Sequence, residues 1–190
     1  MTTRISNGIR GISNGWVALA ALVIFLLFTA LVLPAQSSQA EADSGGAGSP
    51  DTSFFYSPQE LYRLAEAYGP QGRAAYVRAR FTFDLIWPIV YAFFLTTAIS
   101  WVFRRAFDSS SWLQRANLVP LLGLLFDYLE NLSTSLVMLR YPDPTPVVAW
   151  LAPVFTLLKW VFVGCSFVVL LAGALVGLWK WIERKALYSG

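Results

Sequence analysis

The chain has 190 residues, of which 56% are hydrophobic, 16% aromatic and 13% charged, against roughly 25% charged in an ordinary soluble domain. Together with a mean hydropathy of +0.55, this excludes a conventional soluble domain and points to an all-α integral membrane protein. The formal net charge of +3 does not imply a nucleic-acid partner, because the basic residues flank apolar runs instead of forming one stripe.

Residues 1–15 carry Arg4 and Arg10 and read as a short cytoplasmic N-terminus. Residues 16–33, WVALAALVIFLLFTALVL, contain no charge and come close to the roughly 20 residues that cross a bilayer. A cleaved secretory signal is the rival reading, with LPAQSSQA holding a cleavage site near Ala40. The apolar core is longer than the roughly 7 to 15 residues of such signals, which favours a retained span.

Residues 34–56 are mostly small and polar, with Gly-Gly and Ser-Pro breaks, and predict a flexible outer linker. The SGGAGS within it is not a phosphate loop, since no apolar strand precedes it and no Lys-Ser/Thr follows. Residues 57–69 predict a short helix: Ser57 caps it, Pro58 suits the first position, Glu60 completes a capping box, and Gly69-Pro70 ends it. Leu61, Leu64, Ala65 and Tyr68 give it an apolar face, so it should lie on the outer membrane surface or across the top of a helix bundle.

Residues 70–103 predict a basic helical stem running into a second span, with no obvious breaker before Pro88 and with Arg73, Arg78 and Arg80 among lipid head groups. Residues 116–139 form the third predicted span and 147–181 the fourth, which is tilted, kinked near Pro153 or extended beyond the bilayer. Residues 182–190 remain as a tail. The expected fold is therefore a four-helix membrane bundle with a long outer loop.

Counting Lys and Arg by loop orients it. Arg4, Arg10, Arg104, Arg105, Arg115, Lys180, Arg184 and Lys185 fall on one side, and Arg63, Arg73, Arg78, Arg80 and Arg140 on the other. The positive-inside rule then places both termini in the cytoplasm. The run YSPQELYRLAEAYGPQGRAAYVRARFTFDLIWPIVYAFF, with DYLEN further on, resembles stretches of small bacterial four-span membrane proteins that have no assigned activity. That resemblance implies a bacterial plasma membrane and a four-span architecture, and no chemistry.

The chain has no histidine and one cysteine, which removes the commonest metal ligand, the usual general base and any dithiol redox pair. No cofactor and no metal are expected. Cys165 reads as a small packing residue. Gly173 and Gly177 form a G-x-x-x-G in the fourth span, suited to close packing within the bundle or to dimerisation.

The chemistry is concentrated in a polar stripe. Asp127, Glu130, Asn131 and Thr134 follow one another at i, i+3, i+4 and i+7, so they share one helix face, and that face must turn away from lipid. An unpaired central Asp costs about 2.5 to 3.5 kcal/mol on insertion. Asp84 and Tyr91 share a face of the second span, where Pro88 frees the Asp84 carbonyl. The short RYPDPTP connection makes the third and fourth spans an antiparallel hairpin. If residues 139 and 147 face each other, Lys159 lies opposite Asp127, and a shift of one turn brings Glu130 into range instead.

These residues form either a clasp that fixes helix register or a ligand site. The expected function is binding of a lipid-like or small hydrophobic ligand, or service as a subunit beside a membrane-protein partner or a second copy. The alternatives are a membrane isomerase or hydrolase with Asp127 and Glu130 as acid and base, and a proton-coupled carrier.

Overall fold

The computed structural model describes residues 2–50 and 53–188, and among them every regular element is helical. The helices are α1 (Thr2–Ile12), α2 (Gly15–Asp43), α3 (Pro58–Ala67), α4 (Gly69–Arg80), α5 (Phe83–Ala106), α6 (Val119–Arg140) and α7 (Pro146–Tyr188), with a 3-10 turn over Trp112–Leu118 leading into α6. α2, the α4–α5 pair and α7 are long and apolar enough to cross a membrane. α6 has 22 residues, about 33 Å, and its polar stripe lowers its hydropathy.

Most of the N-terminal segment is helical. α1 turns Ser6 inward and leaves Ile5 and Ile12 exposed, Ser13 just after it is buried, and the Asn14 side chain then caps α2 by accepting from the Val17 N–H. α2 does not end at Pro34. Residues Phe28–Val32 widen into a π turn, which accommodates the missing proline N–H and its ring, and the helix resumes over Leu33–Asp43. The linker expected over 34–56 is corrected accordingly: the Ala, Gln and Glu of its first part are good helix formers, and the irregular part begins at Ser44. That part is tied down, since the Tyr68 hydroxyl donates to the Gly48 carbonyl at 2.5 Å.

α3 starts as its sequence requires, with Ser57 Oγ accepting from the Glu60 N–H at 3.1 Å. Ser57→Ala is expected to lower stability by about 0.5 to 2 kcal/mol, read from the thermal transition. Gly69, at φ +62°, breaks the chain between α3 and α4. The stem does not run unbroken into the second span. Thr82 leaves helical geometry while its hydroxyl donates to the Arg78 carbonyl at 2.8 Å, a local bond that competes with the helix ladder.

α6 and α7 form the expected antiparallel hairpin, with Phe126 stacked on Phe162 at 5.5 Å. Around them the core divides in two. An outer cluster, so named because it lies at the end of α6 and the start of α7, joins Tyr56, Leu61, Leu64, Tyr68 and Tyr76 to Val137, Met138, Ala149 and Ala152, so α3 and α4 pack on that end of the hairpin. An inner cluster joins Ala21, Tyr91, Phe94, Leu95 and Ala98, where α2 and α5 meet. The polar stripe lies between the two.

Gly123 and Gly173 permit close helix approach. A Cβ on Gly123 would stand 2.9 Å from Val163, and one on Gly173 would stand 2.3 Å from the Phe103 ring. The G-x-x-x-G of α7 therefore packs on α5 of the same chain. Gly173→Val should cost about 1 to 3 kcal/mol through overpacking, measured as a lower unfolding midpoint in detergent. Cys165 is exposed rather than packed, on the outward apolar surface of α7.

Candidate functional site: a charged centre between two apolar clusters

Helical spacing puts Asp127, Glu130, Asn131 and Thr134 on the inward face of α6, and all four are buried. Tyr91 reaches them from α5 and Lys159 from α7, and Asp84 of α5 joins them through Arg80; all three are buried. The outward face of the same stretch of α6 carries Leu125, Leu132, Leu136 and Leu139, all exposed.

The centre has two branches. In the first, Lys159 Nζ lies 2.5 Å from Glu130 Oε2, and Thr156 Oγ1 donates to Glu130 Oε1 at 2.7 Å. The Tyr56 hydroxyl stands 3.2 Å from Thr156 Oγ1. Glu130 is 0% exposed and Lys159 7%. In the second, the Tyr91 hydroxyl donates to Asp127 Oδ2 at 3.0 Å and the Asn131 amide donates to Asp127 Oδ1 at 3.1 Å. Arg80 Nη1 lies 2.8 Å from Asp84 Oδ2 and 3.5 Å from Asn131 Oδ1, with its guanidinium 4.3 Å from the centre of the Tyr76 ring. Thr134 shares the face but donates back to the Glu130 carbonyl of its own helix at 3.0 Å, so it lends no group to the centre.

Of the two partners expected for Lys159, the structure selects Glu130, one turn from Asp127. The register itself holds, since Gly123 lies against Val163 and Glu130 against Thr156; each pair of numbers sums to 286, as 139 and 147 do. Side chains, however, lean toward the N-terminus of their own helix. In an antiparallel pair these leans converge for Lys159 and Glu130 and diverge for Lys159 and Asp127. One helical turn separates the two outcomes.

Arg80 corrects a second expectation. It is 9% exposed and belongs to the centre rather than to lipid head groups. Arg73 is also engaged by protein, donating to the Ala65 carbonyl at 2.8 Å and facing the Tyr141 ring; Arg78 is exposed. Arg80, Tyr76, Thr156 and Tyr56 join the centre beyond the residues that helix spacing marks. The i, i+4 spacing of Arg80 and Asp84 was the available signal for one of them, as the i, i+3 spacing of Thr156 and Lys159 was for another.

Two cations, Arg80 and Lys159, thus meet three carboxylates, Asp84, Asp127 and Glu130. The two carboxyl groups expected as acid and base point to different partners: Asp127 to Tyr91 and Asn131, Glu130 to Lys159 and Thr156. Glu130 lies about 15 Å from either end of α6. On α2 the same level falls near the end of the apolar run, because Phe28 stacks on Phe83 and Trp87 at 5.7 and 5.6 Å.

Tyr56 differs from its neighbours in origin. It comes from the irregular segment before α3, not from a long helix. In the same segment the Phe54 ring lies 5.6 Å from that of Trp160, fourteen residues or about 21 Å along α7. Phe54 is 72% exposed and Phe55 59%. A non-helical strip with outward aromatic side chains therefore runs beside the Glu130–Lys159 pair. No family model, curated protein or solved structure matches the chain.

Proposed function

We propose that the chain is a four-span integral membrane protein that binds a lipid-like molecule, apolar with a polar head, at the charged centre. Residues 53–57 and α3 form the cover of that site. Four spans are supported by the inverted polarity of α6, whose leucines face outward and whose ionisable groups face inward, the arrangement a bilayer requires. Packing of Ala21 and Phe25 of α2 against α5 supports retention of the first span. The loop count of Lys and Arg supports cytoplasmic termini.

The observation that carries the binding reading is Tyr56. A clasp that only fixes four helices needs partners on those helices, yet here a loop side chain reaches the Glu130–Thr156 branch, with Phe54 and Phe55 open to the surroundings beside it. A molecule entering sideways past these aromatics would find an ion pair for its head and the outer apolar cluster for its chain. Binding is favoured over an isomerase or hydrolase because Asp127 and Glu130 are directed apart. A proton carrier would need neither the cover nor the aromatic strip.

The test is native mass spectrometry of the protein purified in mild detergent. A copurifying lipid-like molecule is expected on the wild type. Tyr56→Phe should cost only about 0.5 to 1.5 kcal/mol of stability while most of the bound molecule is lost. A wild type free of any such molecule, or equal retention by Tyr56→Phe, would contradict the proposal.

A further inference from the structure

A second polar site lies at the other end of the bundle. α1 is held there by buried hydrogen bonds: the Ser6 hydroxyl donates to Asn117 Oδ1 at 2.8 Å, and the Asn117 amide donates to Ser100 Oγ at 2.9 Å and to the Ser6 carbonyl at 3.2 Å. Between α1 and the Ser109–Ser111 turn is a cavity of about 250 Å³, large enough for a headgroup and too small for an acyl chain. Its wall includes Arg10, Arg115, Gln114, Trp112 and the three serines 109–111. It carries two guanidinium groups and no carboxylate.

Among the atoms of these residues, Arg10 Nε and Gln114 Oε1 are buried without a hydrogen-bond partner, while the other Arg10 nitrogens donate to the Asn7 side-chain oxygen and to the Ser109 carbonyl at 3.5 Å. The Gln114 amide orientation is fixed, because its Nε2 donates to the carbonyls of Phe103, Phe107 and Asp108 at 3.0, 3.1 and 3.3 Å. Its oxygen must therefore face the other way, although Gln114 is only 2% exposed. A buried acceptor and one guanidinium N–H left unmet beside one cavity suit a ligand that supplies both a hydroxyl and an anion. Exposed Trp16 and Trp112 at this end have the amphipathic character of residues at a membrane interface.

We propose that this cavity binds a phosphate bearing a nearby hydroxyl, the chemistry of a glycerophosphate headgroup. The phosphate sits against Arg10 and Arg115, and the hydroxyl donates to Gln114 Oε1. The same chemistry exists in an anionic phospholipid and in a soluble glycerol phosphate, and the test separates them.

Full-length protein in detergent is titrated with phosphatidylglycerol, with phosphatidylcholine and with sn-glycerol 3-phosphate, and adducts are counted by native mass spectrometry. Phosphatidylglycerol should be retained over phosphatidylcholine. Arg10→Gln or Arg115→Gln should each weaken retention about tenfold, the size of one charge-assisted contact. Arg4→Gln, an exposed charge on the same helix outside the wall, should change nothing. Arg115 is itself exposed, so its variant carries the test if Arg10→Gln disturbs the fold.

Binding of sn-glycerol 3-phosphate with the same arginine dependence assigns the site to a soluble ligand, and lipid binding without it assigns the site to a headgroup. Equal retention of both lipids with no binding of sn-glycerol 3-phosphate would overturn the proposal. So would equal losses in Arg4→Gln and Arg10→Gln, which would reduce the effect to general surface charge.

Discussion

Replacing Lys159 with Met is expected to lower stability by about 3 to 5 kcal/mol, because it leaves the Glu130 carboxylate stranded in the interior. Glu130 is fully buried, and its other oxygen already accepts from Thr156, so without the ammonium the carboxylate keeps only a neutral hydrogen bond. Glu130→Met alone should be comparably harmful through the stranded ammonium. The double variant replaces an ion pair by apolar side chains of similar volume and should recover much of the loss. Unfolding in detergent of the two single variants and the double yields the coupling directly. Additive losses would contradict the pairing. A parallel cycle on Asp127 and Lys159 should show far weaker coupling, since the converging side chains are those of 130 and 159.

The other large effect is expected at Arg80. Its guanidinium bonds Asp84 at 2.8 Å, and the two side chains are 9% and 12% exposed. Arg80→Met should cost about 3 to 5 kcal/mol by leaving Asp84 without its cation, and it also removes the contact with the Tyr76 ring. Arg78→Gln, two residues earlier on an exposed position, should stay within about 0.5 kcal/mol of wild type. A lipid-facing Arg80 would give the opposite result, with both substitutions tolerated alike.

The features that sequence conveyed were those set by local periodicity. The stripe from Asp127 to Thr134 follows from 3.6 residues per turn, and the start of α3 follows from Ser57, Pro58 and Glu60. The α6–α7 hairpin follows from the short connection after Arg140. What sequence concealed depended on longer-range geometry. Pro34 looks like a helix end, yet a π turn carries α2 through it. Thr82 looks compatible with a helix, but its hydroxyl takes up the Arg78 carbonyl. Arg80 carries the same charge as Arg78, and only the packing of α4 against α6 turns one inward and leaves the other outside. Between the two partners that spacing offered Lys159, Glu130 is chosen because side-chain lean adds a turn that a count along the backbone omits. Tyr56 had no periodic neighbours at all, and its place beside Thr156 is set by the course of an irregular segment.

The charged centre and its cover make a claim about where a bound molecule lies. A photoactivatable fatty acid incorporated into membranes containing the protein, followed by irradiation and peptide mapping, locates it. Adducts are expected to concentrate at Phe54, Tyr56, Thr156 and Trp160 and to be lost from this group in Tyr56→Phe. Adducts spread evenly along the exposed apolar faces of α2 and α7, with none above that background at residues 54–56 and 156–160, would contradict it and leave the centre as a clasp between helices.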